Sequence, residues 1–158
     1  MTTAETLGRL EPFAHLSPAQ LELLEGAVEK RELDEGALIL REGDAAEEAF
    51  VVARGRVRIQ RRTPYGAYAL AALGPGEMFG EAAFVDSGGR SSDALAEGST
   101  VLLVLRPDAL GEIMAGDQRF ALAMYWAFWK SLARKLRRTN DLLAQFFSPG
   151  AEIGRAHV

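Results

Sequence analysis

Apolar and polar positions change their period twice along the chain. Ser17-Pro18-Ala19-Gln20 sets a hydroxyl cap, a proline at the first helical position and a Gln three residues after the cap, ahead of Leu21, Leu24 and Ala27 on one face. That pattern predicts a short helix over 18–27. From residue 28 to residue 105 the helical period is lost. Positions 37–41, 50–54, 57–60, 68–72 and 100–105 are short apolar runs bounded by glycine-containing turns, so each predicts a strand. Val57-Arg58-Ile59-Gln60-Arg61 alternates apolar with polar, as a half-buried antiparallel strand does. Strands at this spacing predict a fold that is mainly β with α: an antiparallel jelly-roll (double-stranded β-helix) barrel flanked by a short N-terminal helix and a long C-terminal helix.

After Pro107 the helical period returns, first in a short segment ending near Gly116 and then over 117–147, with Gly150 at the exit. Leu122, Trp129, Leu136 and Leu143 recur every seven residues, and Trp126, Ala133, Asn140 and Phe147 stand four later in each heptad. This is a seam for a partner helix. About thirty residues make a helix roughly 45 Å long, more than a small barrel covers, so a homodimer through this helix is expected. The chain divides into 1–116 (helix, barrel and short following helix), 117–147 (the long dimerisation and lid helix of the same domain) and a flexible tail at 148–158.

The 158 residues, 48% apolar and 25% charged, suffice for one domain with one core. The chain contains no cysteine, which excludes a disulfide framework, a thiolate metal site and a Cys nucleophile. Its two histidines, His15 and His157, lie near opposite ends, so neither a metal-dependent jelly-roll enzyme nor a Ser–His hydrolase is expected. Apolar stretches such as 101–105 are too short to cross a membrane, and residues 1–10 lack the order of a signal peptide. A cytoplasmic protein without a membrane partner is expected. The net charge of −4 is unevenly spread: 117–147 carries +4 and the remainder −8. On a helix, such a basic cluster predicts a solvated face.

The most unusual stretch runs over 74–92. Gly80-Glu81-Ala82-Ala83-Phe84 can form one helical turn after a glycine-rich approach, with free N–H groups that attract an anion. Arg90 follows nine residues after Glu81, across a loop that can bring its guanidinium to the same anion, and Arg suits phosphate through its bidentate fork. Glu81 repels phosphate but accepts from sugar hydroxyls. Together these residues describe a ribose-phosphate pocket; a loop salt bridge from Arg90 to Asp86 or Asp93 is the plainer alternative.

Glu42-Gly43-Asp44, Val52-Ala53-Arg54-Gly55-Arg56-Val57, Gly76-Glu77-Met78-Phe79-Gly80-Glu81 and Arg90-Ser91-Ser92 stand in an order and spacing that resembles the cyclic nucleotide-binding domain family, from Ser17 to about Phe147. The resemblance implies a β-roll that holds cAMP or cGMP as ligand, with no further cofactor and no metal. It also implies that Gly80 permits close backbone approach, Glu81 accepts from the ribose 2′-OH, the amides of Ala82 and Ala83 face the cyclic phosphate, and Arg90 neutralises it with the Ser91 hydroxyl. Thr139 and Asn140 occupy the places of a polar pair that contacts the base from two subunits in the catabolite-activator branch; Asn140 also fits the seam. Adenine and guanine remain equally compatible with Ser91, Thr139 and Asn140.

Three positions depart from the family pattern. Gly89 replaces a common proline and predicts a more mobile loop. Asp93 replaces Thr or Ser, and strand alternation from Arg90 turns it away from the phosphate. Only 148–158 follows the long helix, so direct DNA binding is not expected. The expected function is a stand-alone sensor of cyclic nucleotide, signalling to an effector protein by movement of the long helix. The alternatives are a nucleotide-independent dimeric scaffold with a vestigial cassette, or a regulatory fragment of a larger channel, kinase or transporter.

Overall fold

A computed structural model describes residues 2–81 and 89–147 of the chain. Ser17 and Gln20 form a reciprocal capping box on helix α2 (Pro18–Glu25), which ends two residues earlier than its apolar face suggests, with Gly26 at the C-cap. A second capping box, Thr2 with Glu5, opens α1 (Thr3–Arg9), a helix absent from the sequence reading, and a 3-10 turn at Glu11–Phe13 links the two.

The sheet is antiparallel throughout. Its strands are β1 (Val28–Leu33), β2 (Leu38–Leu40), β3 (Ala49–Thr63), β4 (Gly66–Leu73), β5 (Met78–Phe79) and β6 (Asp93–Leu105). The hydrogen-bonded order is β1-β6-β3-β4, with β2 added on β6 and β5 on β3. Two expected strands, 50–54 and 57–60, are one continuous strand: the ladder with β6 shifts register around Arg54 but does not break, so Gly55 marks a bulge rather than a turn. β1 was not expected at all. Val-Glu-Lys-Arg-Glu-Leu has no apolar alternation, and it is extended because its whole length pairs with β6, from Val28 opposite Leu105 to Leu33 opposite Thr100.

Strand alternation divides the core in two. Ala49 and Val51 of β3, with Leu103 and Leu105 of β6, face an outer layer where Leu7, Phe13, Leu24, Leu110, Phe120, Met124 and Phe128 pack from the helices. The intervening Phe50 and Val52, with Leu102 and Val104, face the interior of the roll beside Val57, Leu73 and Phe79. Both sheet faces are therefore dry at these positions, which is why 50–53 and 101–105 read as unbroken apolar runs.

Helix α3 (Pro107–Gly116) leads into α4 (Gln118–Phe147), whose first turn is capped by the Asp117 carboxylate accepting from Phe120 N at 2.9 Å. One face of α4 packs on the outer core. The opposite face leaves Leu122, Tyr125, Trp126, Trp129, Leu136 and Leu143 at least half exposed. The expected solvated basic face is corrected in part: Lys135 and Arg138 turn to the roll, where they pair with Glu81 and Glu77, and Arg134 pairs with Glu11 of the N-terminal 3-10 turn. No helix among the described residues is long and apolar enough to cross a membrane.

Candidate functional site

A cavity of about 540 Å³ opens at the end of the roll between the sheet and the C-terminal half of α4. Its apolar wall comes from the roll interior, including Leu40, Ile59, Leu73 and Phe79, and Phe79 is stacked on Phe50 with ring centroids 5.0 Å apart. Its polar rim joins Gly80, Glu81, Arg90, Ser91 and Ser92 to Lys135, Arg138 and Thr139 of α4. Volume and lining suit an organic ligand with an apolar body and a charged end.

Gly80 follows the stacked Phe79 with φ +73°, a conformation that glycine adopts without strain. A Cβ there would lie 3.0 Å from Arg90 Nη1 and 3.2 Å from both Glu48 O and Phe50 Cδ2, so glycine also supplies the space in which the guanidinium lies. Arg90 is only 8% exposed. Its Nη1 donates to Gly80 O at 3.0 Å and its Nη2 to Glu48 O at 2.5 Å, which fixes the plane of the group. Its Nε is buried and has no hydrogen-bond acceptor among the described residues. Burial lowers the Arg90 pKa from its ordinary value, opposed by the nearby carboxylates of Glu48, Glu81 and Glu47. The group remains cationic at neutral pH. A cation held rigidly in a residue that lines a cavity is suited to an anion.

Glu81, 5% exposed, is engaged from α4: Lys135 Nζ donates to its Oε1 at 2.5 Å, and Ser131 Oγ lies 3.4 Å from the same oxygen. The neighbouring Glu77 accepts from Gly74 N at 2.7 Å through Oε2 and pairs through Oε1 with Arg138. α4 is thus tied to the cavity rim by carboxylates on the segment that leads to Arg90. Thr139 lines the cavity while its hydroxyl donates to Lys135 O at 3.0 Å, which leaves its oxygen lone pairs for a ligand.

The structure therefore brings Gly80, Glu81, Arg90, Ser91 and Thr139 to one cavity. Asn140 is exposed and outside its lining, on the seam side of the helix. Ala82, Ala83, Asp86 and most of the expected helical turn over 80–84 lie outside the described residues, as does the tail. Asp93 does not pair with Arg90. It is 1% exposed and faces away from the cavity, accepting from Glu42 N at 2.7 Å and Arg62 Nε at 2.8 Å. The backbone bond from Glu42 N, with the Arg62 and Arg41 guanidinium groups, lowers its pKa against the cost of burial, so it is ionised at neutral pH.

Lys135, Arg138, Ser131 and Glu48 were not singled out in the sequence. Glu48 holds the guanidinium through its carbonyl, a group that every residue type carries, while its carboxylate adds to the field at Arg90. Ser131, Lys135, Arg138 and Leu142 recur at intervals of four, three and four, a helical face opposite the seam, and that spacing was available as a signal. Among the described residues no group of three or more His, Asp or Glu side chains is placed to hold a metal ion.

Residues 30–117 match the family described as "Cyclic nucleotide-binding domain". The chain is 36% identical over 137 residues to the cyclic AMP receptor protein of Thermus thermophilus, covering 84% of this chain and 61% of that one. It is 30% identical over 141 residues to the CRP-like cAMP-activated global transcriptional regulator of Mycobacterium tuberculosis, covering 89% and 61%. The chain thus spans about three fifths of the length of these curated relatives. Among solved structures, the N-terminal domain of a transcriptional regulator from Streptomyces coelicolor superposes with a TM-score of 0.69 at 31% identity, covering 87% of this chain and 94% of that one.

Proposed function

We propose that this chain, which belongs to the cyclic nucleotide-binding domain family, is a sensor domain for a cyclic purine mononucleotide, cAMP or cGMP. The observation that carries this reading is the buried Arg90 guanidinium, held in a fixed plane by two carbonyls, in a residue that lines the same cavity as Gly80 and Glu81. Arg90 takes the cyclic phosphate, Glu81 the ribose, and the apolar wall with Thr139 the base. Isothermal titration of the chain with cAMP and with cGMP tests it. Heat from either nucleotide supports the sensor, and no heat from both at millimolar concentration supports the nucleotide-independent scaffold instead.

The ribose assignment has its own test. Glu81→Ala is expected to weaken binding of the 2′-hydroxyl nucleotide about ten- to a hundredfold, the worth of one charge-assisted hydrogen bond of roughly 1.5–3 kcal/mol, and to leave the 2′-deoxy analogue nearly unaffected. Equal losses for both analogues would remove Glu81 from the ribose.

Signalling follows from the occupancy of that carboxylate. Glu81, which takes the ribose in this reading, is also the carboxylate to which Lys135 ties α4, so a nucleotide on it changes the contacts that hold that helix, and a differential of this kind is what shifts a conformational equilibrium. The output is a changed surface for an effector protein. The exposed seam of α4 accommodates a second copy of this chain in heptad register, with Leu122, Trp126, Trp129, Leu136 and Leu143 as the contact. Replacing Trp126 and Trp129 together by glutamate is expected to halve the sedimentation mass; a mass unchanged from the parent chain refutes the seam.

A further inference from the structure

Arg90 stands three residues before the first residue of β6, outside the regular ladder. Its backbone is instead held by the turn after β2: Arg90 N donates to Asp44 O at 2.7 Å, Gly43 N donates to Arg90 O at 2.9 Å, and Ala45 bridges Gly89 in antiparallel fashion. The turn needs an anchor of its own, and the structure supplies one in an unexpected residue. Asp93, paired with Gln60 at the start of β6, reaches the turn with its side chain and accepts from Glu42 N through Oδ1. Its Oδ2 accepts from Arg62 on β3. A second link, Arg61 Nε to Glu42 Oε1 at 3.0 Å, ties the same turn to β3.

We propose that Asp93 is a positioning residue for the anion site: its carboxylate fixes the turn at 42–45 to β6, and the turn fixes the backbone from which the Arg90 guanidinium is aimed. The inference rests on the reading of Arg90 as the phosphate-binding residue, and its geometry is specific. A carboxylate that is 1% exposed costs desolvation that an apolar strand residue at the same place avoids. Two donors offset that cost, and one of them is the main-chain amide of the turn. Gly89 then fits the same picture. With the turn pinned by Asp93 and bridged to residue 89, the approach to Arg90 is ordered by hydrogen bonds where a proline would order it by restricting φ.

The test combines amide hydrogen exchange and nucleotide titration on the full chain. In Asp93→Ala, exchange at the Gly43 and Arg90 amides is expected to accelerate at least tenfold relative to the central β3–β6 amides, and cAMP or cGMP affinity to fall at least tenfold. Asp93→Asn keeps an oxygen that accepts from the Glu42 amide, so it is expected to restore both readouts to within about threefold of the parent. Unchanged exchange at Gly43 and Arg90 in Asp93→Ala, or acceleration spread evenly through β3 and β6, overturns the inference. If Asp93→Ala does not fold, Asp93→Ser, whose shorter side chain falls short of the Glu42 amide, is read in its place by the same criteria. If the parent chain binds neither nucleotide, the sensor reading fails, and the exchange data still decide whether Asp93 holds the turn and Arg90.

Discussion

Arg90→Ala is expected to weaken binding of cAMP and of cGMP by at least about thirtyfold. The guanidinium is set before a ligand arrives, because Nη1 and Nη2 are held by the carbonyls of Gly80 and Glu48. Little ordering cost therefore remains to be met on binding. Truncating one partner of a buried, hydrogen-bonded charge pair costs about 2–5 kcal/mol, and each 1.4 kcal/mol is a factor of ten in Kd. Arg90→Lys keeps the charge without the fork and is expected to fall between parent and alanine variant. Arg90 itself lines the cavity, so the space its side chain vacates in Arg90→Ala opens to that cavity and lets water reach the two released carbonyls. The unliganded variant should therefore melt within a few degrees of the parent. Binding by Arg90→Ala within threefold of the parent, measured by isothermal titration, would move the phosphate elsewhere in the molecule.

How much of this site could be read in the chain depended on whether each part acts through its side chain. Gly80, Glu81 and Arg90 were legible because their side chains, or the lack of one, stand in the order and spacing of the family's motif, although each residue type alone is common. Glu48 was not, since it contributes a peptide oxygen. Lys135 and Arg138 were visible as charge, but their direction depends on which face of α4 meets the roll, and the basic residues of that helix lie on both faces. The same limit governs the fold. Strands with two buried faces announce themselves as unbroken apolar runs, whereas β1 is extended only because β6 runs beside it. Helix α1 has a capping box but a single buried residue, Leu7, which gives no period to count. Arg54-Gly55-Arg56 is the instructive case, where glycine between polar residues reads as a turn and the chain runs straight on.

Gly55→Ala is accordingly expected to be the most damaging alanine substitution among the described glycines. Gly55 has φ +88°, where an L-residue costs about 1–2 kcal/mol. An added Cβ would lie 2.5 Å from Ser99 O, 2.7 Å from Thr100 Oγ1 and 2.8 Å from Thr100 Cα. Two of these atoms belong to the backbone of β6, so no rotamer change relieves the contact. The strand cannot shift freely either, because Thr100 is fully buried and its hydroxyl lies 3.1 Å from both Arg56 O and Gly98 O. The methyl group must open the bulge in the β3–β6 ladder, which carries residues of both core layers. A loss of about 4–5 kcal/mol is at the upper end for one substitution and takes up much of the roughly 5–15 kcal/mol that holds a domain together. At about 2–4 °C per kcal/mol for a chain of this size, the midpoint should fall by about 10–20 °C. Gly36→Ala provides the contrast: φ is +80° there too, but nothing lies within 4 Å of the added Cβ, so only the conformational cost applies. Thermal unfolding of the two variants side by side checks the argument, and equal shifts would show that the contacts with Ser99 and Thr100 contribute nothing.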